Sequence, residues 1–559
     1  MTTEYSLPAH LKKAYDVFQD IKNLYDAYKL ARSGIKKIIE IIKSETEKRR
    51  KILLIGGGEI GTEIGIAAYN TKRWYIRAII QEKPSPIMFL PFYAENLHGL
   101  RIEDFEIIAL NEDPLLDFQF RYLPSLRGYE AVKDIKELII RMKPDIVLLE
   151  DMFMTPEEWN DLCQLTLEDP SLEKKPLFMP SPTHTIDKLK DISNRYSDVF
   201  LSKIIMKKFL STIGLEDHVL GSEYDKELEK LEINIEELKS ELSHGLGKEY
   251  GKIRDALSRY KKIVLKPEST SSGHGQFILS STSQLTPAYL DEQIKLVRDH
   301  RIPNKRYLIE RYLKNRTETC VIIAETKEGS IGLHSIYYEK YDMEEFNKGG
   351  FQGQTRLLCS ESRKEISQIL LRLVPDIIKK IRENLLVPFL YIELLIDGES
   401  SKAHGDPKIY INEISCRPDD AGFITLISHG KDQFGLFIES LENLFYGKER
   451  NRQTVYLEPE DNWICKTLIL CEKFKFDEDY LKYETDSGRI QDHFKFKFYV
   501  KALGEEIYRR IIGYQWHHKA QEDEDQGMHI LTMHKSDLGL SEESLRQLTD
   551  YLRMSKPKR

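Results

Sequence analysis

The segment at residues 261–276, KKIVLKPESTSSGHGQ, constrains the fold and the function of this chain more than any other stretch. Its apolar run at residues 263–265 predicts a short buried strand, which ends in Lys266 and Pro267. Small hydroxyl residues and glycines follow, and glycines allow backbone N–H groups to turn toward a phosphate. We therefore expect Lys266 and the Gly/Ser loop to bind one anion together. The alternative for this segment alone is a surface hairpin, because Gly/Ser loops are common.

Four acidic residues downstream of this loop follow or interrupt apolar runs. Glu310 follows one such run, and Glu318 lies eight residues later. Glu393 lies within FLYIELLID, and Asn412 and Glu413 lie within KIYINEIS, both of which have the apolar pattern of strands. A carboxylate in an apolar strand is unfavourable unless it is paired or binds a metal. Two such carboxylates predict a Mg²⁺ site, since Mg²⁺ binds one or two carboxylates together with nucleotide phosphates. The alternative for each acid alone is an exposed strand position.

Taken in order, the lysine, the Gly-rich loop, the two spaced acids and the two strand acids resemble the ATP-grasp superfamily. Within it, SSGHGQ at residues 271–276 resembles the SSGKGQ loop of the formate-dependent phosphoribosylglycinamide formyltransferases. The segment EISCRPDDAGFITLI at residues 413–427 is similar to their EVSPRPHDTGMVTLI-type segment. The similarity covers roughly residues 51–515. It implies an α/β ATP-grasp ligase that uses ATP and Mg²⁺ and acts on small-molecule substrates, a carboxylate and a phosphorylated amine.

The resemblance implies a role for individual residues. Lys266 would hold the nucleotide phosphates, Arg417 would bind a carboxylate or phosphoryl group, and Asp420 would orient the attacking amine. Glu393 and Glu413 match the metal ligands. The other positions that match nucleotide contacts are Lys203, Ser271, Ser272, Gly273, His274, Gly275, Gln276, Glu310, Arg311, Tyr312, Leu313 and Glu318. The positions that match substrate contacts are Glu59, Ile60, Glu150, Asp420, Lys501, Arg509 and Arg510.

The reaction implied by the resemblance joins formate to 5-phosphoribosylglycinamide through formyl phosphate, a step of purine biosynthesis. The chain departs from the family's pattern at three positions and is longer than the family's members. His274 replaces a lysine, Lys203 replaces an arginine, and Lys501 lies one residue out of register. Two alternatives follow from these departures. One is a ligase for a different carboxylate and amine, a carboxylating relative included, and the other is a non-catalytic nucleotide-binding scaffold.

The length of 559 residues predicts about three or four domains. In KILLIGGGEIG, Gly56, Gly58 and Gly61 fit the G-x-G-x-x-G turn of dinucleotide folds, which also opens the first domain of the resembled ligases. No acid about 20 residues further on completes an NAD site. The expected domains are a helical extension at 1–50, a Rossmann-like domain at 51–181, an ATP-grasp domain at 182–450 with a helical insertion near 222–250, and a β-rich lobe with a tail at 451–559.

Charge and composition restrict the partners. A net charge of −8 and a pI near 6.1 argue against nucleic-acid binding. No apolar run approaches the roughly 20 residues of a membrane span, and the N-terminus lacks a signal-peptide core. The six cysteines lack CxxC spacing, so we expect a reducing, cytoplasmic environment. The family implies a homodimer. The expected N-terminal helix packs on its own domain, with a dimer contact or a membrane-surface helix as alternatives.

Overall fold

The computed structural model describes most of the chain between residues 49 and 535. The described residues are 49–57, 59–71, 73–80, 118–123, 128–150, 154–182, 196–221, 232–245, 247–269, 276–291, 306–314, 316–334, 363–385, 387–398, 407–419, 433–446, 454–457, 463–472, 514–515 and 526–535. The helix predicted at 1–50 therefore lies outside them, apart from its last two positions. No helix within these ranges is long and apolar enough to cross a membrane.

The N-terminal region forms a parallel sheet. Its strands are β1 (Arg50–Ile55), β2 (Trp74–Ile80), β3 (Phe118–Tyr122), β4 (Ile146–Leu149) and β5 (Leu177–Met179). The connecting helices are α1 (Glu59–Thr71), α2 (Gly128–Met142) and α3 (Pro156–Leu167). The described strands lie in the order β3-β2-β1-β4-β5, so the order reverses between β1 and β4. In such sheets ligands bind outside the carboxyl ends of the strands at this reversal.

Helix α3 begins with a capping box. The Oγ1 of Thr155 accepts a hydrogen bond of 3.2 Å from the N–H of Glu158, and Oε2 of Glu158 accepts one of 2.9 Å from the N–H of Thr155. We expect Thr155→Ala to lower the free energy of unfolding by about 1 kcal/mol, because it leaves a helix N–H without its acceptor. Urea unfolding of the variant measures this loss. Thr155→Ser keeps the hydroxyl and serves as the control, and an equal loss in both variants would contradict the capping role.

A second, antiparallel sheet follows a helical segment. The segment contains α4 (Asp198–Leu201) and α5 (Lys203–Thr212). The sheet and its covering helices are β6 (Glu232–Asn234), α6 (Ile235–Leu242), α7 (Lys248–Tyr260), β7 (Ile263–Pro267), β8 (Phe277–Leu279) and β9 (Arg306–Arg311). The order of the described strands is β6-β9-β7-β8. Residues 232–234 thus form a strand of this sheet within the segment where a helical insertion was expected, and α6 follows directly at Ile235.

One face of the second sheet packs against α7. Leu265 of β7 and Tyr307 of β9 belong to the same core cluster as Ile253 and Leu257 of α7. Because successive side chains of a strand point to opposite faces, the residue after Leu265 points away from that core. This alternation directs Lys266 toward the third sheet.

The third sheet is mixed and carries the two strand acids. Its strands are β10 (Arg316–Thr326), β11 (Gly329–His334), β12 (Phe389–Asp397), β13 (Lys408–Ser415) and β14 (Thr454–Leu457). The described strands lie in the order β13-β12-β10-β11-β14, and only the outer pair β11–β14 is parallel among them. Helices α8 (Arg363–Asn384) and α9 (Gln433–Tyr446) pack against this sheet.

Helix α9 also reaches back to the first sheet. The ring of Phe445 packs edge-on against Trp74, with ring centroids 6.1 Å apart, and the guanidinium carbon of Arg50 lies 4.0 Å from the centroid of the same ring. Nη1 of Arg73 pairs with Oε2 of Glu442 at 2.8 Å. The first and third sheets therefore contribute to one continuous hydrophobic core.

A small antiparallel sheet follows near the C-terminus. It contains β15 (Trp463–Glu472), β16 (Tyr514–Gln515) and β17 (Gln526–Lys535). The described strands lie in the order β15-β17-β16. Strand β14 pairs with β11 instead, so residues 454–457 belong to the third sheet although they follow the boundary expected at 450.

Candidate functional site

Lys266 joins the second sheet to the third. Its Nζ lies 2.6 Å from Oε2 of Glu310 on the neighbouring strand β9. The same ammonium donates a hydrogen bond of 2.6 Å to Oδ1 of Asn412 on β13. Lys266 is only 7% exposed, so its charge is largely withdrawn from solvent. The lysine that the sequence selects as a phosphate ligand thus lies at the boundary between two sheets, where a ligand could contact both.

A second lysine binds the same glutamate. Lys207 of α5 pairs with Oε1 of Glu310 and also donates a hydrogen bond of 3.3 Å to the carbonyl of Leu220. Burial alone would raise the pKa of Glu310, but the two lysines outweigh this effect and lower that pKa to about 2. Burial lowers the pKa of Lys207, and the charge of Glu310 opposes that shift. Glu310 is therefore an ionised carboxylate held between two ammonium groups.

The start of α5 is fixed to the end of β7. Ser202 caps α5 by accepting a hydrogen bond of 3.2 Å from the N–H of Ile205, and its hydroxyl lies 2.5 Å from Oε1 of Glu268. The carbonyl of Glu268 accepts a hydrogen bond of 3.0 Å from the N–H of Lys203. Arg306 binds both carboxylate oxygens of Glu268, at 2.8 and 2.6 Å. These contacts set the position of Lys203 relative to Lys266.

A β-bulge brings two neighbouring residues of β13 to one site. Glu393 of β12 is paired with Glu413, but the next residue, Leu394, is paired with Ile411, so Asn412 is the extra residue. In a regular strand, Asn412 and Glu413 would point to opposite faces. Here Asn412 contacts Lys266, while Oε2 of Glu413 lies 3.9 Å from Nζ of Lys203.

The paired glutamates supply the donor atoms that a Mg²⁺ ion prefers. Because Glu393 and Glu413 are direct partners in an antiparallel pair, their carboxylates lie on the same face of the third sheet. No group of three or more His, Cys, Asp or Glu residues capable of binding a metal occurs among the described residues. Two carboxylates fit a nucleotide-bound Mg²⁺, since phosphates and water complete its octahedral coordination.

A small pocket opens beside these groups. It lies between α4, the start of α5 and β13, and the space that a water-sized group can enter is about 10 Å³. Lys203 and Glu413 contribute its charged groups, and Val199, Met206 and Ile414 are among its apolar residues. A pocket of this size has room for about one water molecule between the cation and the carboxylate.

The chain was compared with known proteins in sequence and in fold. No family model matches the chain. The formate-dependent phosphoribosylglycinamide formyltransferase of Prochlorococcus marinus strain NATL1A is 20% identical over 393 residues, which are 70% of this chain and 76% of that protein. The same enzyme from strain SARG is 29% identical over 185 residues, 33% of this chain and 41% of that protein.

A solved structure supports the fold. The carboxyaminoimidazole ribonucleotide synthase of Aspergillus clavatus, crystallised with ATP, superposes with a TM-score of 0.52 over 91% of this chain and all of that chain, at 13% identity. The chain resembles the ATP-grasp ligases in sequence and in fold. The resemblance seen in the sequence is thereby confirmed, and the mixed α/β architecture with parallel and antiparallel sheets agrees with it.

The residues that an ATP-grasp nucleotide hinge would supply begin at the end of β9. Nη2 of Arg311 binds Asp397 at 3.1 Å and the hydroxyl of Tyr410 at 3.0 Å, so this side chain contacts the third sheet. The backbone of Tyr312 continues the pairing with a hydrogen bond of 3.2 Å to the carbonyl of Lys262. Leu313 is buried, and Glu318 lies in β10 opposite Leu395. Their nucleotide contacts stay predictions.

The predicted substrate residues of the first sheet lie at its carboxyl edge. Glu59 begins α1, which follows β1, and Ile60 is largely buried there. Glu150 follows β4, is 3% exposed and donates its N–H to the carbonyl of Ile55 at 2.9 Å. A Cβ atom on Gly61 would lie 3.0 Å from Oε2 of Glu150, so the carboxylate lies against the first turn of α1. These positions lie where open parallel sheets bind ligands, and their substrate contacts stay predictions.

Other predicted site residues are only partly described. Arg417 follows β13, and its side chain donates a hydrogen bond of 2.9 Å to the carbonyl of Pro418. Gln276 immediately precedes β8 and is half-buried. The predictions for Ser271, Ser272, Gly273, His274, Gly275, Asp420, Lys501, Arg509 and Arg510 lie outside the described residues.

Three residues of the candidate site were not selected as site residues from the sequence. They are Lys207, Glu268 and Asn412, and each acts through contacts with a distant part of the chain. Lys207 lies four residues after Lys203 within an apolar helix, and this spacing places both on one helix face. That spacing was the available signal for Lys207. The only signal for Glu268 was its position two residues after Lys266, and the only signal for Asn412 was its adjacency to Glu413.

Proposed function

We propose that this chain is an ATP-dependent carboxylate–amine ligase whose substrates are formate and 5-phosphoribosylglycinamide. The observation that carries the proposal is the meeting of Lys266, Lys203 and two paired glutamates where the second and third sheets face each other. Cations for phosphates and carboxylates for Mg²⁺ are the two requirements of phosphoryl transfer. The substrate pair is supported by the relatives' names and by the resembling segments.

The residues of this chain position and polarise the reactants. Lys266 and Lys203 bind nucleotide phosphate oxygens, and Glu393 and Glu413 would hold a Mg²⁺ that neutralises phosphate charge. The formate oxygen attacks the γ-phosphorus of ATP and ADP leaves, which forms formyl phosphate. The amine then attacks the formyl carbon and phosphate leaves. Asp420 orients the amine, and Glu59, Glu150, Arg509 and Arg510 bind the phosphorylated substrate in this proposal.

The experiment is ADP release by the full chain with Mg-ATP and 5-phosphoribosylglycinamide, measured with and without formate. We expect formate-dependent ADP release and a product heavier by one formyl group in its mass spectrum. A parallel reaction with bicarbonate in place of formate tests for a carboxylating ligase. ADP release with bicarbonate only would contradict the formyl substrate, and nucleotide binding without turnover under any condition would favour the scaffold alternative.

A further inference from the structure

The two oxygens of one carboxylate in this site contact two different lysines. Oε1 of Glu310 faces Lys207 and Oε2 faces Lys266, and the exposed fractions of Lys207 and Glu310 are 1% and 2%. The two ammonium groups and one carboxylate leave the triad with a net charge of +1. Nothing in the proposed reaction uses Lys207, because the backbone carbonyl of Leu220 and Glu310 are the partners that its ammonium contacts among the described residues.

The position of Lys207 gives it an effect at a distance. If Lys266 were the only lysine beside Glu310, the carboxylate would cancel the charge of that lysine, since opposite charges at this distance attract strongly away from water. Because Lys207 contacts the other carboxylate oxygen, it already neutralises the charge of Glu310. The ammonium of Lys266 therefore keeps its charge on the side that faces Asn412 and the third sheet.

We propose that Lys207 is a positioning residue that sets the net charge of the nucleotide-phosphate site, by neutralising Glu310 so that Lys266 can bind phosphate. The proposal rests on the proposed function, because it requires a nucleotide at Lys266. Lys207 itself contacts no ligand. Its charge acts through Glu310 on the affinity for the phosphate groups and not on the affinity for the nucleoside.

A purely structural pair predicts a different pattern. If Lys207 only stabilised the core, its loss would weaken the binding of ADP and adenosine by the same factor and lower the melting temperature. If it sets the site's charge, ADP binding weakens and adenosine binding does not. The ratio of the two dissociation constants therefore separates the two roles, and it also cancels any loss of contacts with the base.

The test measures ADP and adenosine affinities of the full chain by titration calorimetry in Mg²⁺ buffer. We expect Lys207→Met to weaken ADP binding about tenfold relative to adenosine, as a unit charge about 10 Å away does at an effective dielectric constant of about 20. The variant still pairs Glu310 with Lys266, so no buried charge is left alone. Lys207→Gln, which keeps hydrogen-bond donors, gives the same neutral charge and replaces it if the methionine variant does not fold.

Two further variants complete the test. Lys207→Met/Glu310→Gln restores the net charge of +1 on Lys266, and we expect its ADP-to-adenosine ratio to return to within about threefold of the unmodified protein. Lys208→Met removes a charge one residue away, from a pair with Glu232 at 2.5 Å, and is expected to leave the ratio unchanged.

The outcomes separate the inference from the proposed function. An unchanged ratio in the neutral Lys207 variants, or a failure of the double variant to restore it, would overturn the role of Lys207 and leave the ligase proposal standing. An unmodified protein that binds neither ADP nor adenosine would overturn both.

Discussion

Glu413→Gln is expected to reduce ATP turnover by at least about a hundredfold, and Glu393→Gln by a similar factor. Each change keeps the size of the side chain and one oxygen but removes the charge that a Mg²⁺ ligand supplies. Because the two carboxylates are direct cross-strand partners, the loss of either would leave the proposed Mg²⁺ with a single anionic protein ligand. The measurement is the rate of ADP release at saturating Mg-ATP.

A second readout makes the result specific to the metal. Mn²⁺ binding in the presence of ADP, followed by electron paramagnetic resonance, should weaken in both variants. Glu383→Gln changes an exposed glutamate of α8 and serves as the control, with unchanged turnover and Mn²⁺ binding. Full turnover in Glu413→Gln would show that Glu413 is not a metal ligand.

Arg382→Met is expected to lower the free energy of unfolding by about 3 kcal/mol. Arg382 of α8 pairs with the carboxylate of Glu325 on β10, and Glu325 is only 5% exposed. Arg382 also donates hydrogen bonds of 3.0 and 2.7 Å to the hydroxyls of Ser330 and Thr454. Without the guanidinium, a buried carboxylate loses its counter-ion at the junction of α8 with β10, β11 and β14. Urea unfolding measures the loss.

Two variants test the cause of this loss. Lys379→Met removes an exposed charge from the same helix and should change stability by less than about 0.5 kcal/mol. Glu325→Gln/Arg382→Met removes both charges and should recover at least half of the lost unfolding free energy, because the destabilisation comes from the unpaired, buried carboxylate. Equal destabilisation in the single and double variants would show that the hydroxyl contacts, and not the ion pair, matter.

Short-range patterns predicted the strands that carry the site. The apolar run before Lys266 forms the buried strand β7, and the acid-containing patterns FLYIELLID and KIYINEIS form β12 and β13 over the same residues. These signals are local, since the burial of a strand follows from the alternating or continuous apolar residues of its own sequence. The same holds for the parallel strand β1.

Contacts between distant residues could not be predicted in the same way. The pairing of Glu393 with Glu413 depends on a one-residue bulge, and a register without it would place Glu413 on the opposite face. The contact of Lys207 with Glu310 joins residues separated by 103 positions. The resemblance implied that Glu310 belongs to a nucleotide hinge, whereas the structure places its carboxylate between two lysines. The hinge role of Glu310 stays a prediction alongside that contact.

The packing of α9 on the first sheet has a consequence for how this protein is made. The salt bridge between Arg73 and Glu442 joins residues 369 positions apart, and Trp74 gains its contact with Phe445 from the same helix. A ribosome adds about 5–20 residues per second, so Trp74 waits roughly 20–70 seconds after its synthesis for this cover. During that interval, Trp74 and its apolar neighbours lack part of their burial. Until α9 has been synthesised, this apolar surface of the first sheet is therefore exposed to aggregation.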